Sequence, residues 1–166
     1  MAQFANPDSD ISVGSWSWTN SISEELWEQI DEGIASTDDS TTYAETFGPA
    51  TFEVGLESLS EPDSGTRTVR IRAAGSGATM NVVLKANGST KQSWSHSVNG
   101  SYATYSQTIT ASLTSSDYAN LSISVSLSGF GSLSVSTIEF EVPDAAGGGG
   151  GGEGPKLHPE FFIMLL

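Results

Sequence analysis

Apolar and polar positions alternate through most of this chain, most plainly between Arg67 and Ala86, which reads RTVRIRAAGSGATMNVVLKA. Val69, Ile71 and Ala73 share one parity and Arg70 and Arg72 the other; after a small glycine-bearing connection, Met80, Val82 and Leu84 repeat the pattern. Side chains alternate with period two along a strand, so this stretch predicts a hairpin with a single apolar face. Such a hairpin does not fold alone, and the rest of the chain must supply an opposing sheet.

The remaining segments fit that demand. TFEVGLESL, with Phe52, Val54 and Leu56 against Glu53 and Glu57, reads as a strand, and Asn87-Gly88 is the dipeptide suited to a two-residue hairpin turn. Trp94, His96 and Val98 share a face of the next strand, and a second Asn-Gly at 99–100 leads into residues 102–110. Leu121, Ile123, Val125 and Leu127 alternate with four serines, which predicts one core face and one wet face. Gly129-Phe130-Gly131 reverses the chain into LSVSTIEFEV, where Leu133 and Val135 hold one parity and Ile138, Phe140 and Val142 the other; a bulge near Ser136-Thr137 reconciles them, and Pro143 ends the strand. A similar change of face near Gly14 in ISVGSWSW also predicts a bulge. Ser23 to Glu32 carries helix signals: Ser23 as N-cap, Glu24 and Glu25 in the first turn, Gly33 past the end, and an apolar stripe of Leu26, Trp27 and Ile30 that would lie over the sandwich as a lid.

About eight strands, at the turn spacing of antiparallel sandwiches and barrels, predict an all-β fold: an antiparallel two-sheet jelly-roll sandwich with one short helix. An immunoglobulin-like sandwich is the nearest rival. The body is expected over residues 1–143. Residues 144–154, with six consecutive glycines, read as a flexible linker, and 155–166 as an apolar C-terminal arm. The arm presents Leu157, Phe161, Phe162, Ile163, Met164, Leu165 and Leu166, which are expected to bind a partner subunit or to plug one end of the chain's own sandwich.

Charge narrows the choice of partners. Twenty Asp and Glu stand against six Lys and Arg, a formal net charge of −14, so a nucleic-acid partner is not expected. The absence of cysteine removes disulfides and thiolate chemistry. MAQFANPDSD has neither a basic start nor a long apolar run, and no run approaches the roughly 18 apolar residues of a membrane span, so neither a signal peptide nor a membrane partner is expected.

The candidate chemistry is thin. His96 and His158 are separated by strands and linker, which disfavours a triad or a multi-histidine metal site. Glu53 and Glu57 read as a solvated strand face, and a pairing with Arg70 and Arg72 across neighbouring strands would be structural. Asp8, Asp10, Asp38, Asp39 and Asp117 are oxygen donors without the spacing of a calcium loop. No catalytic residue, metal or cofactor is assigned. Trp16, Trp18 and Trp94, with Tyr105, are the residue types that stack on sugar rings, and they define a glycan platform to be weighed against a place in the core.

The succession PDSDISVGSW, ELWEQIDE, FEVGLESLSEP, TVRIRA, a serine-rich late strand and IEFEVP, over about residues 7–143, resembles a jelly-roll module that recurs in structural (virion) proteins of tailed bacteriophages. The resemblance implies a non-enzymatic virion component. With the arm, it yields the principal expectation: a capsid decoration or cement protein on the particle surface, assembled in the host cytoplasm, oligomeric and anchored to capsid or tail subunits. A minor tail or head-to-tail joining protein is a variant of that reading. The reading from another class is a carbohydrate-binding module that contacts a surface glycan.

Overall fold

The computed structural model describes residues 2–19, 24–37, 39, 41–62 and 64–143. Eleven strands lie among them: β1 (Gln3–Ala5), β2 (Pro7–Ser12), β3 (Ser17–Trp18), β4 (Ala44–Phe47), β5 (Ala50–Leu56), β6 (Arg67–Ser76), β7 (Ala78–Ala86), β8 (Ser89–Val98), β9 (Ala103–Ile109), β10 (Leu121–Ser128) and β11 (Ser132–Val142). They form two antiparallel sheets. The first runs β3-β4-β11-β6-β9, with β1 also on β11; the second runs β2-β5-β10-β7-β8. The chain is a jelly-roll β-sandwich, as its alternation predicts, and among the described residues it carries one short α-helix.

The 67–86 stretch is not a hairpin, and this is the largest correction to the sequence reading. β6 and β7 both alternate as expected, but β6 pairs with β11 and β9 in the first sheet while β7 pairs with β10 and β8 in the second. Gly77, at φ 63°, is the single residue between them, and it turns the chain from one sheet into the other. The two apolar faces therefore meet across the core instead of lying side by side. The same crossing recurs at 48–49, 99–102 and 129–131. Asn87-Gly88, with φ of 50° and 74°, closes a true hairpin between β7 and β8.

Inward parity agrees with the sequence almost everywhere. Leu121, Ile123, Val125 and Leu127 are buried, as are Phe52, Val54, Leu56, Val69, Ile71, Met80, Val82 and Leu84. In β11 the register shifts between Val135 and Thr137, so Leu133, Val135, Ile138, Phe140 and Val142 all reach the core from one strand. That is the bulge expected at Ser136-Thr137.

Two local expectations fail for tertiary reasons. The change of face near Gly14 is no bulge: β2 ends at Ser12 in the second sheet, Gly14 turns at φ 54°, and β3 enters the first sheet. A Cβ at Gly14 would stand 2.2 Å from the Thr51 carbonyl oxygen, so only glycine lets the chain cross so near β5. The helix expected over 23–32 is reduced to a 3-10 turn at Trp27–Gln29, with a second at Ile34–Ser36; Ser23 lies outside the described residues. The Asp10 carboxylate on β2 accepts the Leu26 and Trp27 N–H groups at 2.9 and 3.0 Å, and the Ile30 carbonyl accepts the Ile138 N–H beyond the β11 bulge. Backbone bonding is thus directed into the sheets rather than along a helix, while Leu26 and Ile30 still become fully buried. The α-helix present is α1 (Ser115–Tyr118), in a segment that reads as a connection. A reciprocal capping box of Thr114 and Asp117 opens it.

Candidate functional site: a groove on the outer face of the first sheet

The outer face of the first sheet carries a cluster of paired charges, Arg70 with Glu139 and Glu141 and Arg72 with Asp39. Arg70 and Arg72 point outward from β6 because Val69, Ile71 and Ala73 point inward. On β11 the bulge brings Glu139 and Glu141 to the same face, in register with Arg70 and Thr68. Arg70 Nη1 lies 3.2 Å from Glu139 Oε1, and its other terminal nitrogen bonds Glu141. The second Glu139 oxygen accepts the Ile34 N–H at 3.2 Å. One guanidinium is therefore fixed by two carboxylates, and one of these is fixed in turn by backbone.

Around this cluster lies a groove of about 540 Å³, lined by Phe4, Asn6, Gly33, Ile34, Ala35, Arg70, Glu139 and Glu141. Phe4 reaches it from β1, where it is paired with Glu141 and 49 % exposed. Ile34 and Ala35 come from the 3-10 turn in the long connection between β3 and β4. The groove thus has an apolar wall and a planar array of donors and acceptors already in place.

Further along the same face, Arg72 donates through Nε to Asp39 at 2.6 and 2.8 Å, and Ser136 Oγ donates to Asp39 at 2.7 Å. Hydrogen bonding from Arg72 holds the Asp39 carboxyl below its usual range, and Asp39 raises Arg72 in return. Tyr102 lies beside them. Burial pushes its phenol up to about 12 against a hydrogen bond with Ser134, and Asp39, Tyr43 and Glu45 add to the rise. Its hydroxyl keeps its proton throughout the neutral range. A second, more polar hollow of about 460 Å³ lies on the other sheet beside Asp8, Ser9, Glu53, Asn87, Asn120 and Ser122.

The residues singled out from sequence are not brought together. Trp16 is only 5 % exposed and packs edge-on against Phe52, centroids 4.7 Å apart, so it belongs to the core and has no face free for a sugar. Trp18 packs partly against the core and donates Nε1–H to the Glu24 carbonyl; Trp94 packs against the core from edge strand β8. A three-tryptophan platform is therefore not formed. His96 stands 5.3 Å from the Tyr105 ring on β9, and burial lowers its pKa. The Arg–Glu pairs expected with Glu53 and Glu57 are not made, because those glutamates belong to the opposite sheet or its loops. Glu53 bonds Lys85 at 2.5 Å and accepts from Ser122, and Glu57 accepts the Asn6 N–H.

The aspartates weighed as calcium donors are dispersed: Asp10 holds the 3-10 turn, Asp39 holds Arg72, and Asp117 caps α1 and binds Lys91, while Asp38 lies outside the described residues. Leu157, Phe161, Phe162, Ile163, Met164, Leu165, Leu166 and His158 also lie outside them, with the whole of 144–166. The groove residues absent from the sequence reading are Phe4, Asn6, Ile34, Ala35, Glu139 and Glu141. Alternation in IEFEV already places the two glutamates on one face, opposite Ile138 and Phe140. Their partner strand is not written there.

No family model and no curated protein matches the chain. Among solved structures, the chain is similar to the CBM36-1 domain of a multidomain xylanase from the hindgut metagenome of Trinervitermes trinervoides: 13% identity over 87% of this chain and 99% of that domain, TM-score 0.50. It also overlaps the enzymatically active domain of tailspike protein 4 of bacteriophage CBA120 (10% identity, 84% of this chain, 19% of that one, TM-score 0.48). A third overlap is with TmCBM61 in complex with beta-1,4-galactotriose (12% identity, 82% and 92%, TM-score 0.44). At these identities what is shared is a fold, and the first likeness, which takes in nearly all of the xylanase's domain, is a likeness of jelly-roll sandwiches.

Proposed function

We propose that the folded body is a non-catalytic carbohydrate-binding module and that the groove on the first sheet is its glycan site. The observation that carries this reading is the pairing, in one open groove, of an apolar wall (Phe4, Ile34, Ala35) with a pre-set planar array (Arg70, Glu139, Glu141). A pyranose ring presents just those two surfaces, a C–H face and a rim of hydroxyls. Guanidinium and carboxylate groups already held by each other bind hydroxyls without further ordering. Both glutamates are engaged by Arg70, which suits them to accept hydrogen bonds rather than to shuttle protons, so the module binds and does not cleave. The fold shared with the xylanase's module supports the same reading.

The particle-decoration role implied by the sequence resemblance draws on the arm, outside the described residues, and no feature of the body favours it over glycan binding. A virion-surface location remains a proposal about where such a module works, and immunogold labelling of particles checks it. The glycan site is tested by affinity electrophoresis of the full chain through gels containing xylan, β-glucan, galactan or mannan. At least one should retard the protein, and Phe4→Ala should weaken that retardation about tenfold or more while leaving the fold intact. Free migration in every gel, or retardation untouched by Phe4→Ala, would sink the assignment.

A further inference from the structure

The groove on the first sheet is unbalanced in charge. Among its described lining residues Arg70 is the one cation, set against Glu139 and Glu141, and Glu57 adds a further carboxylate behind Asn6, whose N–H it accepts at 3.2 Å. Both terminal nitrogens of Arg70 are already engaged, Nη1 by Glu139 and Nη2 by Glu141. An incoming carboxylate or sulfate therefore finds no open guanidinium fork and meets like charge instead.

The two glutamates differ in how far they are satisfied. Glu139 uses both oxygens, Oε1 toward Arg70 and Oε2 toward the Ile34 N–H. Glu141 meets Arg70 through Oε2, and among the described residues its Oε1 takes part in no hydrogen bond, with the side chain 27 % exposed. Phe4 stands directly opposite Glu141 in the β1–β11 register and is half exposed, so ring and carboxylate start about 5 Å apart at Cβ on one wall. Asn6 lines the same groove, and its buried Oδ1 accepts no hydrogen bond among the described residues. The polar atoms left without partners here are acceptors.

We propose that the groove prefers glycans that carry a free amino group, with the ammonium of a hexosamine unit seated between Glu141 and Phe4, and that it turns away uronate and sulfated glycans. This rests on the glycan reading of the groove and deepens it. An ammonium brings donors and no acceptor, which matches a wall whose open atoms are acceptors. A carboxylate oxygen and an aromatic ring both attract a cation, and here they are neighbours. Arg70 holds Glu141 in place beforehand, so little ordering is left for the ligand to impose. A hydroxyl at the same ring position still donates a hydrogen bond but brings no charge, so neutral glycans remain ligands of lower affinity. N-acetylation removes the charge and lowers affinity in the same way.

Isothermal titration calorimetry of the full chain at pH 6 and about 150 mM NaCl, which screens charges beyond about 8 Å, tests this. The ligands are tetrasaccharides with one β-1,4-linked backbone that differ in substituent: free amine (glucosamine), N-acetyl amine, hydroxyl (glucose) or carboxylate (glucuronate). The free-amine tetrasaccharide should bind about tenfold tighter or more than the N-acetylated and glucose forms, and the glucuronate form not detectably. Glu141→Gln should bring the free-amine form down to the level of the glucose form. Asp8→Asn, the same change of net charge placed on the other sheet, should leave the preference intact. A preference that survives Glu141→Gln, or that Asp8→Asn removes equally, would belong to the general field of an acidic body and overturns the proposal. Glucose or glucuronate forms bound as tightly as the free amine overturn it too; if that binding is lost in Phe4→Ala, which keeps the net charge at −14, the glycan site stands and only the amine preference falls. Phe4-dependent binding of tetralysine as tight as that of the free-amine form also overturns it, because the wall would then read charge and not a sugar. Binding of none of the tetrasaccharides overturns it as well, and the polysaccharide gels then decide whether the glycan site stands without it.

Discussion

Asp117 shows how a single residue acquires a role that its sequence position does not announce. In the sequence it is one acid among twenty; in the fold it is buried at the start of α1, accepts from the Thr114 N–H at 2.8 Å and lies 3.0 Å from Lys91 Nζ. The Thr114 backbone bond, and then Lys91, hold its carboxyl at about 2, below the ordinary 3.8. Because the folded value is the lower one, the unfolded chain takes up the proton first as pH falls. Its stabilisation is complete above the ordinary value and disappears as pH drops through about 2. Chemical unfolding followed by tryptophan fluorescence should therefore show wild type losing stability faster than Asp117→Asn between pH 4 and pH 2. Parallel losses would remove Asp117 from the account of acid sensitivity. Tryptophans 16, 18 and 94 teach the converse lesson: residue type suggested a sugar platform, and burial of Trp16 on Phe52 together with the edge position of Trp94 dissolves it.

Strands are legible from alternation and crossings between sheets are not. The parity of β10 and the bulge of β11 follow from side-chain order alone, since a face that must be buried dictates register. Whether two successive strands pair with each other or face each other depends on the turn between them, and one glycine serves either outcome. The crossing between β10 and β11 depends on Gly131, whose Cβ would collide with the Ser76 carbonyl. Gly131→Ala is expected to cost about 1–3 kcal/mol through backbone displacement, read as a lowered midpoint in urea unfolding. A midpoint equal to wild type would mean that the two turns do not pack as described. The 3-10 turn at Trp27–Gln29 belongs to this scale too: local helix signals were present, and an aspartate from β2 together with the β11 bulge claimed the backbone groups a helix would have used.

For the whole molecule, a core that runs from Ala5 to Val142 with both sheets closed over it is the ground for expecting residues 1–143 to fold without the rest of the chain. A chain ended after Pro143 is expected to melt within about 3 °C of the full chain by calorimetry, a shift that corresponds to less than about 1 kcal/mol. A fall of more than 10 °C would make the C-terminal segment part of the fold rather than an attachment to it. The sequence by itself determined which side chains of the main strands face inward and that the fold is a β-sandwich, because a period of two and the dihedral demands of Gly, Asn and Pro are local properties that each segment carries alone. Only the tertiary structure decided which strands share a sheet, that Arg70 meets Glu139 and Glu141 instead of Glu53 and Glu57, and that Phe4 and Ile34 wall the groove beside them. Those facts join residues up to about 135 positions apart, and their cause is the burial of two apolar sheet faces against each other, a condition on the whole chain that no segment of it expresses.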